Sequence, residues 1–164
     1  MYILSMEKAK VRPRPDKHPG QEVYMPEWMR ILVEQVSAWQ GVSVHDHRFG
    51  GIEFRLGTRE IGHVHAFGIV DIPFTVKTRD ALIRSGKAQR HHWLPDSGWT
   101  TIRVAEHGSE NALKSLRLSY LRIQLKSPDS FTASRALQEL ALSGFEVDVL
   151  DSFTGSIHAG NKQL

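Results

Sequence analysis

The sequence predicts an α+β fold, with an antiparallel sheet preceded by one helix and followed by further helices. Segments that alternate polar and apolar residues follow one another between residues 42 and 74, and amphipathic segments with helical spacing lie before and after them. The connecting loops are short, which leaves no room for a second core. Strands that cluster in sequence, with helices at the ends, are typical of α+β domains.

The first helix begins at Pro26, in the segment PEWMRILVEQVSAWQG. Proline suits the first helical turn because its missing N–H is not needed there. Apolar residues recur at three- and four-residue steps along one face, and Gly41 is a natural end. Residues 1–24 contain three prolines and mixed charges, and they are expected to form a flexible N-terminal arm.

The strands are predicted in the segments VSVHDH, GGIEFRL, REIGHVHAF and IVDIPF, and later in AQRHHW and WTTIRV. Thr78 is expected to cap a short helix, RDALIRSG, between the two groups. Two longer helices, ENALKSLRLSYLRIQLK and FTASRALQELALSG, follow, and FEVDVLDSF is expected to form a final strand. We therefore expect an α+β domain over residues 25–126, a helix-strand extension over 127–152 and a tail over 153–164.

The amino-acid composition excludes some classes of function. The chain has 164 residues, 24% of them charged, with a formal net charge of +3 and no cysteine, so disulfides and thiolate chemistry are excluded. No apolar run approaches the roughly 20 residues of a membrane span, and the early charges do not fit a secretory signal, so we expect a cytoplasmic protein without a membrane partner. Basic residues are spread along the chain, which disfavours nucleic acid as a partner.

Two histidines lie two residues apart in EIGHVHAF. Strict strand alternation places Ile61, His63 and His65 on one face and Glu60 on the other, so the two imidazoles are neighbours. Such a pair suits two metal ligands or two hydrogen-bonding groups aimed at a small ligand. The same pair also fits two buried histidines that are satisfied by neighbouring groups.

A second cluster, QRHHWLPDSGW, carries Arg90, His91, His92, Trp93 and Trp99. On a strand, one of the two histidines would face the same pocket as the first pair. Two tryptophans around a turn favour an aromatic-walled small-molecule pocket, although tryptophans also fill cores. A metal site would combine the first pair with one of these histidines and with Asp71 or Glu60. The P-loop, Rossmann, esterase-elbow and HExxH motifs are absent.

These segments together resemble the luciferase-domain family, which holds small bacterial proteins and the fungal luciferases. The resemblance covers residues 26–123. It rests on four elements in order: the REIxHxH strand, the stretch from Gly86 to His91, Trp99, and the helix that ends at Tyr120. The layout is also similar to the MmcQ/YjbR-like fold, which has a curved antiparallel sheet with an N-terminal helix and C-terminal helices packed on it.

The resemblance implies oxidation of a hydroxylated pyrone by molecular oxygen as co-substrate, with no cofactor. The small aromatic or pyrone-like molecule is the expected partner. It implies catalytic roles for His63, His65, His91, Glu60 and Arg90, and substrate contacts from Trp93, Trp99, His92, Asp96 and Tyr120.

Three hypotheses follow. The first is a small-molecule-binding protein with cofactor-independent oxygenase activity on a hydroxylated ring. The second is a non-catalytic binding module for a ligand, a protein or DNA, suggested by Arg117, Arg122 and the basic arm, although such arginines are also typical of a solvated helix face. The third is a metal-dependent enzyme that uses His63, His65 and His91. The segment after Ser127 would cover a sheet edge or pair with a second copy in a homo-oligomer.

Overall fold

The computed structural model describes residues 24–160, with side chains for residues 24–153, and six strands of this part form one open antiparallel sheet. Their order across the sheet is β1-β2-β3-β4-β6-β5. The strands are β1 (Val42–Asp46), β2 (Ile52–Leu56), β3 (Arg59–His65), β4 (Ile69–Pro73), β5 (Gln89–Arg90) and β6 (Trp99–Arg103). The predicted α+β class is confirmed. The predicted arm, up to residue 23, lies outside the described residues.

In sequence, helices precede β1, separate β4 from β5 and follow β6. They are α1 (Glu27–Ser37), α2 (Val76–Arg84), α3 (Val104–His107), α4 (Ser109–Gln124), α5 (Ser130–Ala141) and α6 (Val147–Gly160). The short helix α3 was not predicted, and Ser109 is the first residue of α4 rather than its cap. None of the helices in the described part has the length and apolar content that a membrane span requires.

The predicted final strand over FEVDVLDSF is wrong, because residues from Val147 onward form helix α6. Val149 and Phe153, four residues apart, are both buried, and the Phe153 ring lies 6.2 Å from that of Phe74. Alternation over so short a run does not distinguish a strand from a helix. Packing of this apolar face against the domain decides the conformation. Part of the predicted tail therefore continues the helix.

Helix α2 begins before the predicted cap. Thr75 is the N-cap, and its hydroxyl oxygen accepts a hydrogen bond from the Thr78 backbone N–H at 3.1 Å. Thr78 lies within the helix, where it is buried and its hydroxyl bonds to Thr75 and Ser152.

Replacing Thr75 by Ala is therefore expected to lower the free energy of unfolding by about 1 kcal/mol, because a first-turn N–H loses its acceptor. Urea denaturation followed by circular dichroism measures the change. A Thr75→Ser variant, which keeps the hydroxyl, should retain most of the stability. Equal losses in both variants would contradict the capping role.

The helices cover one face of the sheet. Helix α4 lies against β3 and β4, and α1 lies against β1 and β2. Gly62 allows this close approach, because a Cβ atom there would lie 2.8 Å from both the Leu116 Cδ2 atom and the Asp71 backbone oxygen. Apolar side chains of the strands fill this layer, and Phe54, Val64 and Val70 have no exposed surface. The polar side chains that alternate with them point to the other face.

A β-bulge changes which residues of β3 share that other face. Phe54 pairs with Gly62 and Arg55 pairs with Glu60, so Ile61 is an extra residue between the two pairs. The prediction from strict alternation was therefore wrong at two positions. Ile61 joins the apolar core, whereas Glu60 lies on the same face as His63. A single inserted residue produces both changes, because the side chains that precede it in the strand then point to the opposite face of the sheet from the one that strict alternation predicts.

Candidate functional site

A cavity of about 630 Å³ opens on the sheet face that carries the histidines. We call its base the floor. The floor consists of five residues that line the cavity and most of which are buried: Glu60, His63, His65, Asp71 and His91. Its rim consists of exposed side chains at the mouth, namely Phe49, Phe67, His92, Trp93 and Leu94. The pocket therefore combines ionisable groups at its base with apolar surface at its entrance, a combination typical of small-molecule sites.

His63 lies between two carboxylates. Its Nδ1 atom is 2.7 Å from Glu60 Oε1, and its Nε2 atom is 3.4 Å from Asp71 Oδ2. Burial opposes a charge on this ring, but the contacts with Asp71 and Glu60 outweigh it and raise the pKa of His63 to about 9. The floor therefore presents an imidazolium cation at neutral pH.

His65 is the opposite case. It is buried, and its Nδ1 atom has no hydrogen-bond partner among the described residues. Burial, together with the positive charge of His63, lowers its pKa to about 4, so the ring is neutral. The ring stacks on Phe67 with centroids 4.9 Å apart. Gly51 also lies close to the ring, and any Cβ atom there would come within 2.8 Å of the imidazole.

Asp71 connects the floor residues. Its Oδ1 atom accepts a hydrogen bond from the Thr101 hydroxyl at 2.5 Å, and its Oδ2 atom faces His63 and His91. Burial alone would raise the pKa of this carboxyl, but the contacts with His63 and Thr101 lower it. Asp71 is therefore an anion that fixes the positions of its neighbours.

His91 positions the rim. Its Nδ1 atom accepts hydrogen bonds from the backbone N–H groups of Trp93 and Leu94, each at 3.2 Å. The neutral ring must then carry its proton on Nε2, which lies 3.7 Å from Asp71 Oδ2. Burial lowers the pKa of His91 despite the nearby carboxylate. We therefore interpret His91 as a positioning residue rather than as the catalytic group that was expected.

The strand that contains this cluster ends earlier than predicted. Only Gln89 and Arg90 pair with β6, and the chain then turns, so His91 and His92 both line the cavity. The expectation that at most one of these two histidines would face the pocket was therefore wrong. His91 belongs to the floor, and His92 is exposed at the rim.

Arg79 of helix α2 binds the loop that follows His92. Its buried guanidinium donates hydrogen bonds to the carbonyl oxygens of Pro95, at 3.0 Å, and Ser97, and it pairs with Asp80. Sequence reasoning missed this residue because nothing in the helix pattern indicates that an arginine turns inward. A buried guanidinium with several acceptors fixes the turn that leads to Trp99.

His47 was also missed, because it follows β1 and lies 16 residues before His63. Its Nδ1 atom is 3.1 Å from Glu53 Oε2, and its ring stacks on His63 with centroids 3.8 Å apart. Donor atoms of His47, His63 and His65 lie within 4.8 Å of one another. These three residues are the group in the described part of the chain that could hold a metal ion, whereas the predicted group contained His91 in place of His47.

The rim carries a strained residue. Phe49 takes φ 57° and ψ 33°, a left-handed conformation that is uncommon for a residue other than glycine. Its ring lies 6.2 Å from the Trp93 ring across the mouth, and the two side chains are 73% and 65% exposed. Such outliers persist where the surrounding structure holds them, often at ligand sites. Trp99 is half-buried deeper in the cavity, with its ring 5.5 Å from His63.

Three predicted site residues lie outside the cavity. Tyr120 is part of the core, where its hydroxyl donates to the Gln40 carbonyl oxygen at 2.9 Å. Asp96 is exposed on the turn, and Arg90 is exposed with its guanidinium bonded to the Pro95 carbonyl oxygen at 3.1 Å. We do not retain these three as ligand contacts. His91 and Leu94, close to Arg90 and Asp96 in sequence, do line the cavity.

Comparison with known proteins finds a similarity in the central segment of the chain. Residues 58–116 match the family model of the luciferase domain. The resemblance to the luciferase-domain family is therefore confirmed over that segment, which contains the whole floor of the pocket. His47 and Phe49 precede the matched residues. No curated protein and no solved structure matches the chain.

Proposed function

From the luciferase-domain match and the charged floor, we propose that this pocket binds a flat hydroxylated ring and catalyses its reaction with molecular oxygen. The observation that carries the proposal is that His63, held between two carboxylates, lies beside His65, whose Nδ1 atom has no hydrogen-bond partner among the described residues. In this proposal His63 stabilises an anion, and His65 accepts a proton. The apolar rim and Trp99 favour an aromatic or pyrone-like molecule.

The reaction needs no organic cofactor in this proposal. His65 accepts the proton of a ring hydroxyl, and the His63 imidazolium stabilises the resulting oxyanion. The electron-rich ring then reduces molecular oxygen as a carbon–oxygen bond forms at the ring carbon beside the oxyanion. The proton held by His65 returns to the terminal oxygen, so the product is a ring ketone that carries a hydroperoxide. The ring is the reductant and oxygen the oxidant, and no other reactant is required.

Replacing His65 by Ala is expected to reduce oxygen uptake with a hydroxylated pyrone by about 100-fold or more, the usual contribution of a positioned base. An oxygen electrode measures the rate, and quenching of tryptophan fluorescence measures pyrone binding. His63→Gln should weaken binding of the ionised pyrone and should also lower the rate of oxygen uptake. The matched control is His45→Ala, because His45 is exposed and hydrogen-bonds only to Ser43 in the described part of the chain.

The outcomes separate the hypotheses. Uptake that neither His63→Gln nor His65→Ala changes would overturn the proposal. Tight pyrone binding without any oxygen uptake would identify a non-catalytic binding module instead.

A further inference from the structure

The pocket contains more histidine and carboxylate groups than acid–base chemistry on one ring requires. His47, His63 and His65 place donor atoms within 4.8 Å of one another, and Asp71 lies beside them. Three elements supply these side chains: the segment after β1, strand β3 and strand β4. Convergence from separate elements onto one point is the arrangement expected of a built site, because no local pattern produces it.

From this convergence we infer that His47, His63, His65 and Asp71 bind one divalent first-row transition metal ion. The inference goes beyond the proposed function and stands whether or not the ring is oxidised.

Two of the histidines already have the carboxylate partner that metal-ligating histidines usually have. The Nδ1 atom of His47 faces the Glu53 carboxylate, and the Nδ1 atom of His63 faces the Glu60 carboxylate. Ligating histidines almost always donate their other ring N–H to such a partner, which fixes the tautomer and the ring plane. Both rings would then coordinate through Nε2. Glu53 is itself held by Arg55, so this support is fixed in turn.

The distance between His63 and Asp71 also fits an ion. Nitrogen and carboxylate oxygen ligands lie about 2.0–2.2 Å from such a metal, so two of them at a tetrahedral angle are separated by about 3.4 Å. The His63 Nε2 and Asp71 Oδ2 atoms are 3.4 Å apart. The His47 ring, which is stacked nearly parallel to His63, would have to tilt, and the His65 ring would have to move inward, to complete the coordination. The Nδ1 atom of His65 forms no hydrogen bond to a described residue that would have to break in that movement.

The donor set selects the class of metal. Three imidazoles and one carboxylate suit zinc, iron, cobalt, nickel or copper ions, whereas magnesium and calcium prefer oxygen ligands. The chain has no cysteine, so thiolate-dependent sites are excluded. An ion held here would face the same cavity as the aromatic rim and would be accessible to a bound ring oxygen.

The test uses the full-length protein, purified without a histidine tag, stripped with EDTA and titrated with Co²⁺ or Zn²⁺. We expect one ion per chain by elemental analysis and visible d–d bands for cobalt. His47→Ala and His65→Ala should each abolish stoichiometric binding, and Glu53→Gln and Glu60→Gln should weaken it by about 10- to 100-fold. His45→Ala is the matched control and should bind as the parent does. Far-ultraviolet circular dichroism establishes that each variant is folded.

Failure to bind either ion, or unchanged binding by His47→Ala and His65→Ala, would overturn the inference. This result is separable from the proposed function, because pyrone binding and oxygen uptake are measured on the stripped protein as well. Loss of uptake in His65→Ala without any metal binding would reject the metal site alone. Stoichiometric metal binding without oxygen uptake in any form would support the metal site and reject the oxygenase.

Discussion

Replacing Gly98 by Ala is expected to lower the free energy of unfolding by about 3 kcal/mol or more, the upper range for overpacking. A Cβ atom at this position would overlap the Phe74 carbonyl oxygen and come within 2.7 Å of its carbonyl carbon. Neither backbone is able to shift easily, because the Phe74 N–H donates a hydrogen bond to the Gly98 oxygen at 3.2 Å. The substitution would therefore separate the end of β4 from the start of β6.

Urea denaturation of the Gly98→Ala variant measures this loss. The matched control is Asp96→Ala in the same turn, where the side chain is exposed, and a change within about 0.5 kcal/mol is expected there. A denaturation midpoint for Gly98→Ala equal to that of the parent would mean that the two backbone segments are not in contact. Because Trp99 follows directly, a partly folded variant should also lose pyrone binding.

Replacing Asp71 by Asn is expected to have the largest effect on the electrostatics of the floor. Asparagine has almost the same shape and is still able to accept the hydrogen bond from the Thr101 hydroxyl, but it removes the negative charge that faces His63 and His91. The pKa of His63, which is about 9 in the parent, should fall by at least about one unit toward the ordinary value of 6.5. Glu60 remains as the other carboxylate partner.

The pH dependence of stability follows with a definite sign. The pKa of His63 is raised by folding, so the stability that its charge contributes is complete below about pH 6.5 and is lost as the pH rises through about 9. In Asp71→Asn this loss should be smaller and should occur at lower pH. Nuclear magnetic resonance titration of the imidazole in EDTA-treated protein gives the pKa directly. Asp96→Asn is the isosteric control, and an unchanged His63 titration in Asp71→Asn would contradict the assigned contact.

The local patterns of the chain predicted most of the elements. Alternation over IEFRL and the β-branched run in WTTIR indicated strands β2 and β6, and helical spacing after Pro26 indicated α1. Such patterns succeed because each reports the burial of one face of one element. The same reasoning failed for α6, where a short alternating run is compatible with either conformation until its contacts are known.

The site was predicted only in part. His63, His65 and the two tryptophans were identified because they are close in sequence and unusual in type. Glu60 was placed on the wrong face, since a bulge arises from the pairing of two strands and leaves no mark on one of them. Tyr120 was assigned to the pocket by motif, whereas its hydroxyl is used to bind the Gln40 carbonyl oxygen in the core.

The sequence by itself determined the fold class, the neighbouring position of His63 and His65 on one sheet face, and the resemblance of the central segment to the luciferase domain. Only the tertiary structure decided that His47 joins them, that His91 holds the rim, and that Asp71 faces both His63 and His91. The physical reason is that periodicity specifies where a side chain points relative to its own strand or helix. The charge and hydrogen bonding of a buried histidine depend instead on groups that arrive from other strands.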